Sequence, residues 1–447
     1  MDEPRTVLII GSGTFGLSTA LHLLRQGKVE VTLLDPYPVP SPWSAGNDSN
    51  KIIQTTSDDD FYSNLALEAL QMWREDNVFK KAFSETGIIY AATGKEERKS
   101  IDYRYKYLIQ RNDKVIKLNG VEDYEKYVPS KQSKQGLQGL QGLQASKFQK
   151  WYGYYQEKNC GWAFARLALE SCAEECRKLG ARFIIDSAEK LLYSKDGTCV
   201  GVRTSSGSSI EADRIVVCAG ASSFKFLNYE HQLLAKCWTL GHIKLADDEA
   251  ALLKGMPVVL NLDGGFVFEP DTNNEIKFCN EFPGYVNIVD KESVPLFKDS
   301  IPKEAEVQMR AFLRQIFPEL AERKFSLARI CWCTDTPDRH FLICEHPEHK
   351  NLILGTGDSG QGFKYMPNVG KYISQVALKG ESSLDKDKKK FWRWRPDMGK
   401  NRNLNDLQGR YGGSNEVKDL KDVKEWSDGI EDSGLATNIH SLSLQTS

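Results

Sequence analysis

Three glycines, Gly11, Gly13 and Gly16, stand at GxGxxG spacing near the start of the 447-residue chain. At that spacing the missing side chains do the chemistry. The first glycine permits a tight turn, the second lets backbone approach a pyrophosphate, and the third lets a helix sit close to the preceding strand. Ser12, Thr14 and Phe15 complete the turn and count with the glycines as cofactor-binding residues. Asp35 follows nineteen residues after Gly16, where an acid accepts hydrogen bonds from an adenosine ribose. Two more glycine turns point the same way. Ala219 and Gly220 end the strand-like run from Arg214, and Gly355, Gly357, Gly360 and Gly362 put four glycines in eight residues. Such turns hold backbone close to something flat or anionic. Together they describe a dinucleotide site without separating FAD from NAD.

Near this site Asn47, Asp48, Asn50 and Lys51 bring polar groups and one cation. Lys51 either faces the site or is a solvated loop lysine. Cys331 and Cys333 form a single Cys-x-Cys pair. Without a second pair it lacks the four ligands of a zinc site, so no metal is expected.

The elements that must position these residues follow from periodicity. The apolar run 7–10 reads as a strand buried on both faces. Leu17, Ala20, Leu21 and Leu24 recur on one helical face, Gly27 caps the helix, and a second strand covers 29–34. Prolines 36, 38, 40 and 42 then force an extended loop along the cofactor. Leu65, Ala66, Ala69, Leu70 and Trp73 predict a helix over 61–73 that opens a second domain, with a strand over 88–92. A helix over 162–179 stops at Gly180, and strands follow over 182–186 and 198–203. Alternation over 238–244, 258–262, 266–269 and 276–279 predicts a mostly antiparallel sheet. A surface helix over 304–317 carries apolar Val307, Phe312 and Ile316. The triplet repeat 136–144 reads as a surface loop, and the lysine run near Lys388 and the tail from Ser427 as solvated or disordered. Trp392, Trp394 and Trp426 make the stretch from Phe391 too aromatic for a tail, so it should fold back onto the body.

The fold class is therefore α/β with an α+β substrate domain: a discontinuous Rossmann-type dinucleotide domain (1–60, 150–228 and 325–380) and a mostly antiparallel substrate domain (61–149 and 229–324). Residues 381–426 fold back over the active site and 427–447 form the tail. With 59 basic and 61 acidic residues well mixed, the chain carries no field for nucleic acid or anionic membrane, and a small-molecule partner is expected. Ten scattered cysteines in a chain this long imply a reducing compartment. No leader pattern or 18-residue apolar span is present and the last three residues are not S-K-L, so a cytoplasmic monomer is expected.

Nine separated motifs, from LIIGSGTFGLSTALHL, LDPYPVPS and SAGNDSNK through NCGWAFAR, VCAGAS and EIKFCNEFPGY to RICWCTDT, GTGDSGQGFKY and NRNLNDLQGRYGG, resemble the FAD-dependent amine oxidases of the monomeric sarcosine oxidase type. Within them the chain looks most like the fungal fructosyl amino acid oxidases, or amadoriases. The resemblance implies FAD, covalently attached as an 8α-S-cysteinyl link at Cys331, with Cys333 as the rival. It implies that Ser44, Asn50, Lys51, Ala219, Gly220, Gly360, Gly362, Phe363 and Lys364 hold the cofactor with the glycine turn and Asp35. It places Lys277 over the flavin, where its charge stabilises electron transfer to oxygen, gives Lys51 a catalytic place, and assigns Glu281 to sugar hydroxyls and Lys364 and Arg410 to the substrate carboxylate. Sarcosine-type members carry a carboxylate-gripping arginine where this chain has Gln54, which argues against small N-methyl amino acids. The implied reaction takes a hydride from the carbon beside a secondary amine. The resulting imine is hydrolysed and oxygen becomes hydrogen peroxide, so that a fructosyl amino acid yields amino acid and glucosone. The alternatives are saccharopine or another N-carboxyalkyl amino acid or pipecolate as substrate, and, in another class, an NAD-dependent dehydrogenase.

Overall fold

A computed structural model describes residues 5–57, 59–129, 147–280, 284–404 and 416–427. Glu281, Arg410, the triplet repeat and the tail beyond Ser427 lie outside the described residues.

The run TVLII forms the strand Thr6–Ile10, and its apolar residues on both faces explain its place in the middle of a six-stranded sheet. Val7 and Ile9 enter one core with the glycine-turn helix, while Leu8 and Ile10 enter another on the opposite face. Its two neighbours, Glu30–Asp35 and Arg214–Val217, both run parallel to it, with Val7 opposite Val31 and Arg214. Arg182–Ile185 closes one side, Leu352–Thr356 extends the other, and Leu342–Glu345 is the antiparallel edge. All five parallel strands aim their C-terminal ends at one side of the sheet, the side where ligands bind such folds.

The helix Thr14–Gln26 follows the first turn at once, with Gly27 as its left-handed C-cap (φ 65°). The helix Met366–Lys379 lies against it so closely that a Cβ on Gly370 would sit 2.1 Å from the Ser18 carbonyl carbon. The Gly370 N–H donates to Ser18 Oγ at 2.9 Å, so two small residues bring the backbones together.

A second, ten-stranded sheet of mixed direction lines the same cavity as the C-terminal ends of the first. Its long strand Leu234–Lys244 pairs antiparallel with both Glu275–Asn280 and Leu327–Asp335. Ile276 and Phe278 face a core shared with the helix Lys303–Ile316, which by the period of two turns Lys277 and Cys279 to the other face. A small sheet joins Lys51–Gln54 to Cys160–Ala163.

Several elements differ from the sequence reading. The helix Asp60–Glu75, N-capped by Asp59 through Tyr62 N–H (3.0 Å), buries Leu65, Ala66, Ala69, Leu70 and Trp73 in the same core as the glycine-turn helix, not against the second sheet. Trp162 and Ala163 end a strand paired with Ile52 and Lys51, and the helix starts only at Ala165. On Lys303–Ile316 the buried stripe is Ala305, Met309, Phe312, Leu313 and Ile316, while Val307 is 53% exposed because it falls on the opposite side of the 3.6-residue turn. In the lysine run Lys386, Lys389 and Lys390 are exposed as expected, but on the helix Lys386–Trp392 half-buried Lys388 lies over the ring of Tyr372 at 4.6 Å, beside fully buried Trp392.

The Gly370 contact sets a test. Gly370→Ala should destabilise the protein by about 1 to 3 kcal/mol, the usual cost of forcing a methyl into a packed contact, read as a lower urea midpoint at unchanged slope.

Candidate active site

A cavity of about 740 Å³ runs from the glycine turn to the face of the second sheet. Its wall includes Gly11, Gly13, Thr14, Phe15, Asp35 and Ser44 from the first turn and the loop after the second strand, Ala219, Gly220, Gly360, Gly362, Phe363 and Lys364 from the later glycine turns, and Lys51, Lys277 and Cys331. Gly11 has φ +103°, and a Cβ on Gly16 would meet the Gly11 carbonyl oxygen at 1.9 Å, so neither tolerates a side chain. No side chain caps the helix behind Gly13, so its first N–H groups are available to an anion. The Asp35 carboxylate accepts from Ser12 N–H at 2.8 Å and Tyr37 N–H at 3.1 Å. Burial nevertheless pushes its carboxyl above the ordinary range. Ser44 Oγ accepts from Gly46 N–H at 3.2 Å.

Three of the cofactor-binding residues expected from sequence stand behind the cavity wall rather than on it. Ser12 and Gly16 are turned into the helix–strand packing. Asn50 is fully buried, gives its carbonyl oxygen to Lys277 Nζ at 2.8 Å, and has no protein partner for either polar atom of its side chain.

The strand Leu327–Asp335 sets Cys331 opposite Trp238 and Cys333 opposite Lys236. Both cysteines line the cavity. Cys331 is half-buried with Lys51 Nζ 3.9 Å from its sulfur, whereas Cys333 is buried and donates to Asp335 Oδ1 at 3.5 Å. Asp335 in turn pairs with fully buried Lys236 at 3.6 Å.

Lys51 and Lys277 line the cavity floor, and Asp48, behind the wall, joins the two. One oxygen of Asp48, Oδ2, lies 2.6 Å from Lys277 Nζ and 2.7 Å from Lys51 Nζ. Burial opposes the charge on Asp48, but Lys277, Lys51 and Arg329 outweigh it and hold the carboxyl well below its usual range. Burial also opposes the charge on Lys51, and there Asp48 prevails and raises the ammonium above its usual range. For Lys277 burial prevails: its ammonium is lowered despite Asp48, with Lys51 adding repulsion. Asp48 is the residue that sequence reasoning placed near the site and gave no role. The signal was an acid three residues before a lysine, which says nothing of a second lysine from a distant strand.

The other unread feature is the loop 336–341. Asp338, Arg339 and His340 line the cavity, and Arg339 sits in left-handed backbone (φ 63°). Arg395 holds this loop with two bonds of 2.8 Å to the Asp338 carboxylate and further bonds to the carbonyls of His340 and Phe341. Tyr62 packs on His340, its hydroxyl accepting from Phe341 N–H at 2.9 Å.

The residues present fit FAD: a glycine cradle that a side chain would fill, an uncapped helix N-terminus for the pyrophosphate, and a cavity of about 740 Å³ that opens on both. Among the described residues no group of three or more His, Cys, Asp or Glu is placed to hold a metal ion, and no helix is long and apolar enough to cross a membrane.

A parallel sheet with this turn at its C-terminal edge, sharing one cavity with a second sheet that brings buried Lys277 to it, is the arrangement of a dinucleotide-dependent oxidoreductase. The chain belongs to the DAO family of FAD dependent oxidoreductases, whose model matches residues 6–376. L-saccharopine oxidase of Schizosaccharomyces pombe is 32% identical over 423 residues, covering 88% of this chain and 94% of that protein. The crystal structure of the deglycating enzyme fructosamine oxidase (Amadoriase II) of Aspergillus fumigatus superposes with a TM-score of 0.86 at 39% identity, covering 97% of this chain and 99% of that one. Fructosyl amine: oxygen oxidoreductase (Amadoriase I) of the same fungus gives 0.87 at 37% identity over 96% and 99% of the two chains.

Arg395 offers a test of the loop. Burial works against the Asp338 carboxylate, but Arg395 outweighs it and holds the carboxyl below its ordinary range. The pair therefore contributes stability above that range and loses it as pH falls through the lowered value. Arg395→Met should cost about 3 to 5 kcal/mol near neutral pH. The difference from wild type should shrink below about pH 4 when unfolding is followed across pH.

Proposed function

We propose that this FAD-dependent oxidoreductase of CH–NH donors, with oxygen as acceptor, oxidises N-substituted amino acids, and that fructosyl amino acids are its favoured substrates. The observation that carries the reading is buried Lys277, its ammonium held beside Asp48 on the floor of the cavity that Cys331 and Lys364 also line. Bound in this cavity, FAD supplies the two-electron acceptor for the substrate's hydride and the reductant for oxygen.

The chain's own residues do the rest. The glycine turn and the uncapped helix N-terminus hold the pyrophosphate, with Asp35, Ser44, Ala219, Gly220, Gly360, Gly362 and Phe363 along the cofactor. Cys331, nearer Lys51 and more open than Cys333, is the proposed 8α-S-cysteinyl attachment point. Lys277 stabilises the negative charge that develops on oxygen as it is reduced, an effect strengthened where water is excluded. Lys364 and Arg410 hold the substrate's α-carboxylate and Glu281 accepts from sugar hydroxyls. Loss of a hydride from the carbon beside the nitrogen leaves an imine. Water then releases the amino acid and glucosone, while oxygen takes the two electrons and becomes hydrogen peroxide. Ten unpaired thiols support a cytoplasmic location.

Saccharopine oxidation is the second reading, favoured by the likeness to L-saccharopine oxidase and by the cations around the cavity. An assay of hydrogen peroxide release separates the two across fructosyl-lysine, fructosyl-valine, saccharopine, pipecolate and sarcosine. Arg410→Ala should lower kcat/KM for every substrate with an α-carboxylate by about 2 to 5 kcal/mol in transition-state terms. Glu281→Gln should depress fructosyl amino acid turnover and spare or improve saccharopine, whose second carboxylate no longer meets a like charge. A wild type that prefers saccharopine, with a preference that Glu281→Gln weakens, would transfer the assignment to the second reading.

The attachment point has its own test. On acid precipitation Cys331→Ala should release yellow cofactor into the supernatant while Cys333→Ala keeps it on the chain. The opposite pattern would move the link to Cys333.

A further inference from the structure

Lys277 and Lys51 come from separate strands, yet their ammonium groups share one oxygen. Asp48 Oδ2 stands 2.6 Å from Lys277 Nζ and 2.7 Å from Lys51 Nζ, and Oδ1 accepts from Ser49 N–H at 2.9 Å. Asp48 is 4% exposed and Lys277 1%. The loop that carries Asp48 is fixed from two sides: Arg329 donates to the Asn47 carbonyl, and Arg166 donates from Nε to Asn47 Oδ1 (2.9 Å) and from its backbone N–H to the Asp48 carbonyl (2.9 Å).

We propose that Asp48 is the positioning residue of the cavity floor: one carboxylate oxygen holds both ammonium groups in place and keeps both of them charged. The proposal rests on the reading of Lys277 as the group that acts on oxygen. The physical reason is the neighbourhood. Facing the cluster are Cys279 from the strand of Lys277, Arg329 and Cys331 from the strand Leu327–Asp335, and the ring of Phe268, 5.2 Å from Lys277 Nζ. Burial pushes the Cys279 thiol up to about 12, so it adds no charge near neutral pH. Asp48 is then the negative partner the two lysines share. Without it, two ammonium groups would face one another across an apolar floor, and the lower-cost state loses a proton. With it, the two lysines and their carboxylate leave one positive charge over for the reducing oxygen, and Arg329 behind Asp48 adds to the field without contacting either ammonium group.

Asp48 thereby reconciles two demands that conflict at a buried cation. A lone ammonium in a dry pocket stabilises charge on oxygen most strongly, but burial also favours its neutral form. A single lysine paired one-to-one with an acid stays charged and presents no net charge. Two lysines on one acid stay charged and keep a net charge.

The test is the pH profile of lysine acylation in the FAD-loaded enzyme. Acetic anhydride labels only the neutral amine, labelling of wild type above about pH 11 checks that the reagent passes the bound FAD to Lys51 and Lys277, and peptide mass spectrometry reads each lysine separately. In wild type both should resist labelling near pH 8. In Asp48→Asn at least one should label tenfold or more faster at that pH, and Asp48→Glu should restore most of the resistance. Rapid-mixing reoxidation should follow the same order, with Asp48→Asn slowing as pH rises where wild type is flat. Should Asp48→Asn not fold, Lys51→Met serves. Removing the like charge should make Lys277 still slower to label, and should slow reoxidation tenfold or more at every pH because Lys277 and Asp48 are then a one-to-one pair with no charge left over. Unchanged labelling in Asp48→Asn, or Lys51→Met that reoxidises like wild type, would overturn the proposal. Lys277→Met separates the two readings: if it reoxidises like wild type, the assignment of Lys277 to oxygen fails, while the labelling profile still reports on Asp48.

Discussion

The structure depends on backbone-to-backbone contact around one helix. Gly16 brings the helix Thr14–Gln26 against the turn that precedes it, and Gly370 brings the helix Met366–Lys379 against its other side. Dispersion between close-packed chains falls steeply with distance, so a gap of one methyl at either contact would loosen both. From that fixed helix the phosphate-facing turn, the first strand and the C-terminal end of the sheet all take their places.

The second sheet gives the cavity its chemistry. Alternation along Glu275–Asn280 commits Ile276 and Phe278 to the core beneath the helix Lys303–Ile316, and Lys277 and Cys279 to the cavity. The same rule sends Cys331 and Cys333 to one side of their strand. Neither placement costs the sheet a hydrogen bond, since register and pleat already decide which side chains face inward. The flavin enzymes that the chain resembles in sequence and fold are thus met here at the level of a strand's pleat.

Much of this was legible in the sequence because it is local. GxGxxG, Gly27 and Asp35 each act within a few residues of themselves, and the strand and helix they predict stand where expected, with the second strand shifted by one residue to Glu30–Asp35. What was not legible is long-range. The helix Asp60–Glu75 has the same apolar stripe whether it packs on the first sheet or the second, and only Trp73 reaching the Lys364 carbonyl (2.8 Å) shows which. Trp162 and Ala163 suit a helix start as well as a strand end until Lys51 and Ile52 are seen paired with them. Asp48 and Asp338 are ordinary loop acids in sequence, and acquire meaning from partners 229 and 57 positions away.

The strand order has a consequence for biosynthesis. Thr6–Ile10 is among the first elements made, yet its neighbour Arg214–Val217 lies more than two hundred residues later, and Leu342–Glu345 and Leu352–Thr356 later still. At ribosomal rates of about 5 to 20 residues per second the nascent strand waits roughly ten to forty seconds for that partner. Throughout that interval an apolar run with an unpaired edge is exposed, the condition under which chains associate wrongly. Yield of the folded enzyme on overproduction is therefore governed by how well the emerging first hundred residues are shielded, more than by the stability of the finished molecule.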